Sequence, residues 1–384
     1  MYKKNNIIIY IYMFTRKRTR KTKHKFKRLV ENNYFYPKNT DYMLKHSNNL
    51  DFKDIITKSL SSFSSQVTIY KDNKLVFNLQ NKKDSKLIET LSITKSFCSL
   101  AIMFLIQDKK INDENDLVSK YIKSWGYGKK KDITIKHILT HTSGLDNYWN
   151  FDEFMWPNGS YDDYMKKQQP TPNATDISLV VDKVDKIGSK FRYNDVATQL
   201  IPTLVKTITN LDISKYLEIK LFKPLNIQYY WNKDDYGHGY GPNGLFINSN
   251  DLCKVGLLIL NNGKYNKKQI LQPALIDKMV HSYVDKKKII TDDMWKNSKM
   301  TGYGLMWWRH KHLIIAQGYL GQILIIDKKN NLVASRLLES KWDNTDFVKE
   351  TEQDKIYFNE FRTLLSKLHT KSRKKTRKRR IFFK

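Results

Sequence analysis

Apolar and polar positions follow two rhythms along this chain. The longest apolar run, Phe97-Cys98-Ser99-Leu100-Ala101-Ile102-Met103-Phe104-Leu105-Ile106, is continuous rather than one-sided, so it predicts a helix buried all round. Upstream, Gln66-Val67-Thr68-Ile69-Tyr70 and Leu75-Val76-Phe77-Asn78-Leu79 flank Lys71-Asp72-Asn73-Lys74, a hairpin signal. Thr134 reads as the cap of a short helix over 135–139, which Thr142-Ser143-Gly144 stops. Helical spacing returns at 197–209, 251–260 and 273–283. The C-terminal part then switches to strand-like runs at 305–308, 313–316, 322–326 and 332–335, with Lys328-Lys329-Asn330-Asn331 turning the last pair, and a final amphipathic helix is expected over 352–368. Strands at both ends with helices between them predict an α/β (α+β) fold, in which an antiparallel sheet built from both chain ends is flanked by helices and carries a mainly helical insertion. From Phe151 to Lys186 neither rhythm holds, and this stretch, rich in Asp, Tyr and Pro, is the natural place for a substrate-lining insertion. No internal repeat is evident.

Length and composition agree with a folded domain: 384 residues with 40% apolar content can bury a sizeable core. The net charge of +31 changes the picture, because it is concentrated at the ends. Eleven Lys/Arg and no acid lie between Lys3 and Arg28, and ten Lys/Arg and no acid between Lys367 and Lys384. Such runs repel themselves and lack apolar periodicity, so residues 1–48 and 370–384 are expected to be disordered basic tails around a domain at 49–369. Tails of this kind bind nucleic acid or an anionic surface without sequence preference, act as nuclear targeting signals, or only solubilise; no groove-reading motif accompanies them. The apolar segment Ile7–Phe14 is far shorter than a bilayer span requires, and the main basic block follows it, with no small-residue cleavage site, so neither a transmembrane helix nor a secretory signal is expected. Met13 is an alternative start. Two cysteines in apolar helical patterns, Cys98 and Cys253, imply no disulfide framework and fit an intracellular location, cytoplasmic or nuclear. No His or Cys has metal-ligand spacing, and no cofactor is expected.

The candidate chemistry sits where the buried helix begins. In Ser92-Ile93-Thr94-Lys95 one helical turn separates a hydroxyl from an amine, placing a potential nucleophile beside a potential base. Burial of the lysine would favour its neutral form, and the helix N-terminus offers backbone N–H donors to an oxyanion. The same spacing at Ser372-Arg373-Lys374-Lys375 lies in the basic tail with no core around it.

With these residues the chain resembles the serine β-lactamase and penicillin-binding superfamily, specifically the class C β-lactamase-related branch of esterases, amidases and D-amino-acid peptidases. The resemblance runs in order over about residues 60 to 340. It is carried by Ser92-Ile93-Thr94-Lys95-Ser96-Phe97, by Asn112-Asp113 with Leu117-Val118-Ser119-Lys120-Tyr121, and by Ile133-Thr134-Ile135-Lys136-His137-Ile138-Leu139-Thr140-His141-Thr142-Ser143-Gly144-Leu145. Gly244-Leu245-Phe246, Ser249-Asn250-Asp251-Leu252, Asn262-Gly263-Lys264 and Tyr303-Gly304-Leu305-Met306-Trp307-Trp308 continue it. It implies a β-lactamase-like fold and a serine hydrolase working through an acyl-enzyme. The family's Tyr-x-Asn motif falls on Tyr193-Asn194-Asp195, which makes Tyr193 the implied acid/base and puts Asp195 where the family has asparagine; Tyr148-Trp149-Asn150 matches literally but lies too early in the order. In this reading Lys95 and Tyr193 move the protons, and an anion at Asp195 would favour the ammonium form of Lys95, leaving Tyr193 to do more of the transfer. The third motif, a basic residue followed by Thr/Ser-Gly, falls on Ala316-Gln317-Gly318, so the cation that holds a penicillin carboxylate is absent. Ester or small-amide hydrolysis is therefore favoured over lactam turnover. The amides of Ser92 and Tyr319 are the implied oxyanion hole, with Asp195, Gln317 and Gly318 as supporting residues, and Trp156, Tyr161 and Trp307 are candidates for lining an acyl pocket. The competing reading is an inactive scaffold whose basic tails bind nucleic acid or an anionic partner.

Overall fold

The computed structural model describes residues 39–48, 50–147, 173–285, 290–291, 300–339, 361–366 and 368. The expectations for both basic ends, for Tyr148-Trp149-Asn150, Trp156 and Tyr161, for most of the 151–186 insertion and for the first half of the last helix lie outside these residues.

A nine-stranded antiparallel sheet organises the molecule. In chain order its strands are β1 (Tyr42–His46), β2 (Gln66–Lys71), β3 (Lys74–Asn81), β4 (Val284–Asp285), β5 (Gly302–Tyr303), β6 (Trp308–His310), β7 (Leu313–Gly318), β8 (Gln322–Asp327) and β9 (Leu332–Leu337). Across the sheet they run β1-β3-β2-β9-β8-β7-β6-β5-β4. The two chain ends meet where β9 pairs with β2, from Leu332 opposite Lys71 to Leu337 opposite Gln66. The expected sheet built from both ends is therefore the observed one.

Strand alternation divides the interior between the two faces. Ile314, Ala316, Leu324, Ile326 and Val333 join the helix-side core, made by α2 (Thr94–Gln107), α5 (Asp195–Thr209), α7 (Ser249–Leu260) and α8 (Pro273–Val280). Ile315, Ile323, Ile325 and Ala334 face the other way, against α1 (Lys53–Ser61) and the helical turn at 361–366. The short helices α3 (Ile135–Leu139), α4 (Ala174–Val180) and α6 (Ile213–Leu217) complete the helical part.

Three expectations need correction. The run at 305–308 is not a strand: Met306 adopts φ +59°, Gly304 N–H bonds to Trp307 O, and only Trp308 enters β6, so the chain doubles back between β5 and β6. The helix expected to reach residue 283 ends at Val280. Strand β1 lies inside the stretch assigned by composition to the N-terminal tail; it pairs with β3 while four of its five residues stay exposed, so hydrophobic patterning could not reveal it. Both cysteines are free and buried. Among the described residues no helix is long and apolar enough to cross a membrane, and no group of His, Cys, Asp or Glu is placed to hold a metal ion.

Candidate active site

Ser92 sits in a 3-10 turn, Leu91–Ile93, that leads directly into α2. Leu91 holds φ +51°, a conformation L-residues rarely adopt, and this sharp bend turns the chain into the helix at the serine. Lys95, one turn on, is 1% exposed. Its Nζ is surrounded by oxygens: Ser92 Oγ at 2.9 Å, Pro242 O at 3.0 Å and Asp195 Oδ1 at 2.7 Å, with the Tyr193 hydroxyl as a further partner. Burial presses the amine toward its neutral form, but the Asp195 carboxylate and Tyr193 outweigh it, and the lysine pKa ends above its ordinary value. Lys95 is an ammonium ion in this site.

Tyr193 is also buried, with its pKa raised chiefly by burial against the opposing pull of Lys95, so its phenol is neutral. The hydroxyl exchanges hydrogen bonds with Ser92 and Lys95. The ring lies 4.6 Å from that of His141 and stacks on Trp308 at 5.9 Å.

Two asparagines hold this segment. Asn194 caps α5 by accepting from Ala197 N at 2.7 Å and donates from Nδ2 to the carbonyls of Leu145 and Asp146. Asn147 donates to Tyr193 O at 2.9 Å and accepts from Asp195 N at 3.2 Å, gripping the backbone on both sides of Asn194. The Pro242 carbonyl arrives by a close approach: a side chain on Gly241 would come within 2.8 Å of Thr198 O on α5. None of these bracing contacts was anticipated from the sequence, since side chain to backbone bonds across 48 residues leave no periodic trace.

The end of β7 closes the other side. A Cβ on Gly318 would lie 2.4 Å from Thr90 O and 3.2 Å from Ser92 N, so only glycine brings this strand against the start of α2. The following turn, Tyr319–Gly321, is fixed by the buried guanidinium of Arg336, which donates to Leu320 O and to Ser62 O. The structure thus gathers Ser92, Lys95, Tyr193, Asp195 and Gly318 in one place. Tyr319 follows on the same strand end, half exposed. Ala316 turns its methyl into the helix-side core, and Trp307 is 1% exposed and packs in that same core.

Comparison with known proteins bears on the family and the fold. The family model described as Beta-lactamase matches residues 52–357. The chain belongs to the Beta-lactamase family. Among curated relatives, Protein flp of Staphylococcus aureus (strain NCTC 8325 / PS 47) is 28% identical over 142 residues, 36% of this chain and 26% of that protein. The chain thus aligns with about a quarter of that relative's length. A penicillin-binding protein homologue from Caulobacter crescentus superposes with TM-score 0.61 at 11% identity, covering 78% of this chain and 94% of that one. EstCE1, a hydrolase with promiscuous acyltransferase activity, superposes with TM-score 0.59 at 14% identity over 74% and 92%. Identities this low bear on the shared β-lactamase-like fold.

One family segment acquires a physical reason here. In this β-lactamase-family chain His141 is 1% exposed, takes φ +55°, and accepts from Asn194 N through Nδ1 at 3.2 Å, which leaves the proton on Nε2. Burial, reinforced by Lys95, holds its pKa well below 6.5. The unfolded chain therefore takes up this proton first as pH falls. The stability that neutral His141 contributes is complete above pH 6.5 and declines below it, by up to about 1.4 kcal/mol per pH unit. Urea unfolding at several values between pH 7 and 5 should show this slope, and His141→Gln should flatten it; an equal slope in the variant would rule His141 out as its source.

Proposed function

We propose that this chain is a serine hydrolase that cleaves an ester or amide through an acyl-enzyme on Ser92. The observation that carries the reading is the 2.9 Å contact between Ser92 Oγ and the buried Lys95 ammonium at the start of α2, with the Tyr193 hydroxyl bonded to both. Ser92 Oγ attacks the carbonyl carbon. Its proton passes to the Tyr193 oxygen as the Tyr193 proton passes to the leaving oxygen or nitrogen, so the phenol returns to its starting state and no free base is consumed. Lys95 remains an ammonium ion and stabilises the negative charge that develops on both oxygens. The amides of Ser92 and Tyr319 receive the carbonyl oxygen. A water then enters by the reverse path, protonating Ser92 through Tyr193 and releasing the acid. Esters and small amides are favoured over lactams, because Ala316 stands where the penicillin-processing relatives carry a cation.

Incubation of the full chain with a fluorophosphonate probe, followed by peptide mass spectrometry, is expected to give one adduct, on Ser92. No adduct on folded protein, or an adduct elsewhere, would sink the reading. A second expectation concerns the strand end: Gly318→Ala would push β7 off the start of α2 and separate the two oxyanion donors, lowering kcat for p-nitrophenyl esters by about 10²–10³-fold. An unchanged kcat would remove the Tyr319 amide from the mechanism.

A further inference from the structure

The basic tails hold most of the positive charge, yet the folded domain carries a cluster of its own. Between Asp116 and Asp132 the chain has five lysines and no acid. Two single-turn helices, Lys123–Trp125 and Gly128–Lys130, meet there around Gly126-Tyr127-Gly128, and Tyr127 at the tip is 86% exposed. This loop is pinned from below. Trp125 is buried and donates to Leu179 O at 3.0 Å, while Lys130 lies over its ring and donates to Leu179 O and Val181 O at 2.8 and 3.1 Å. The same contacts set the end of α4 beside the loop. Val180, between the two bonded carbonyls, is 69% exposed, and Val184, four residues on, is 53% exposed.

Single apolar residues in water are ordinary, but a fixed aromatic tip with aliphatic neighbours and a surround of lysines is a composite surface. Lys130 is spent inward, and Lys123, Lys129 and Lys131 are exposed. Lys129 and Lys131 have no ion-pair partner among the described residues. Of the nearby acids, Asp116 pairs with Lys120, Asp182 lies within electrostatic reach of Lys130, and Asp132 is exposed, so the balance stays positive. We propose, independently of the chemistry at Ser92, that this face docks on an anionic lipid bilayer, with Tyr127 and Val180 entering the interface and the three lysines over the headgroups. A tyrosine suits that depth because its ring is apolar and its hydroxyl stays wet, and each lysine near an anionic surface adds attraction. A nucleic acid would engage the tyrosine and the lysines but leave both valines in water. The bilayer interface accepts all of them.

The test places an environment-sensitive nitrobenzoxadiazole label on Tyr127→Cys in the full chain; Cys98 and Cys253 are buried, so the label goes to the introduced thiol. Leu75→Cys, in the β2–β3 hairpin, carries the same label as a control. With phosphatidylcholine vesicles containing about 30% phosphatidylserine at physiological salt, the label at 127 is expected to brighten about twofold and shift to the blue, and the label at 75 to stay unchanged. Lys129→Glu/Lys131→Glu should lower vesicle partitioning about thirtyfold, while Tyr127→Ser/Val180→Ser should leave less bound protein after a wash at high salt. Circular dichroism checks that each variant is folded. Vesicle binding with an unresponsive label at 127 would assign the binding to the terminal basic runs and overturn the proposal. An equal response to phosphatidylcholine alone, a response to single-stranded RNA but not to vesicles, or no binding at all would overturn it too.

Discussion

Ser92→Ala is expected to lower kcat/KM on any ester or amide substrate by about a millionfold, to the level that binding and the oxyanion donors sustain alone. The size of the loss follows because, among the described residues, the other alcohols at the start of α2 are committed elsewhere. Ser96, the next serine on α2, is committed to Met306 O at 2.7 Å in the core. Thr94 Oγ1 pairs with Thr90 and accepts from Leu245 N, and its side chain is buried. Water cannot replace the alcohol on the same terms, because it would lack the geometry that the turn at Leu91 imposes. Folding should be little affected: Lys95 keeps Pro242 O and Asp195, and one part-buried hydrogen bond is worth about 1 kcal/mol. The check is a progress curve with a p-nitrophenyl ester beside circular dichroism and thermal melts. A folded variant with one per cent or more of wild-type activity would mean that another residue attacks the carbonyl.

What was legible in the sequence was whatever has a local period. The contact between Ser92 and Lys95 could be foreseen because a helix brings residues three apart onto one side. The β2–β3 hairpin and strands β7 to β9 were visible because alternation and turn residues coincide, and β7, β8 and β9 each proved only one or two residues longer than the apolar run. The run at 305–308 misled for an equally local reason: four apolar residues in succession look like a strand, and the left-handed Met306 that breaks it leaves no compositional mark. Long-range partners were not legible at all. Pro242 contributes to Lys95 through its backbone carbonyl, which every residue possesses, and Asn147 grips Tyr193 and Asp195 from 46 and 48 residues away. The His-Thr-Ser-Gly segment was recognisable as a motif, yet its work, to seat a neutral imidazole beneath the Tyr193 ring and under the Asn194 amide, emerged from the fold.

Removing the Tyr193 hydroxyl is the change that separates two ways of moving the proton. Tyr193→Phe keeps the ring against His141 and Trp308, so the site should stay assembled, and kcat for an alkyl ester or amide is expected to fall about 10²–10⁴-fold with a smaller change in KM. If Lys95 were instead the base, the variant would keep most of its rate. The ion pair argues against that: the Asp195 carboxylate at 2.7 Å raises the lysine pKa, and a base already protonated at neutral pH takes nothing from Ser92. The same raised pKa fixes the sign of the pH dependence. The working form of Lys95 is the charged one, so wild-type kcat/KM should hold level through neutral pH and decline only above the ordinary lysine value near 10.5. Leaving-group chemistry adds a further distinction. p-Nitrophenolate departs without a proton, so Tyr193→Phe should slow acylation by p-nitrophenyl esters less than acylation by amides, while deacylation, which must return a proton to Ser92, is slowed for both. A burst of p-nitrophenol followed by slow steady-state release, with the acyl-enzyme captured by intact-mass spectrometry, is the expected result. Equal slowing of both substrates with no accumulated acyl-enzyme would place the proton transfer elsewhere.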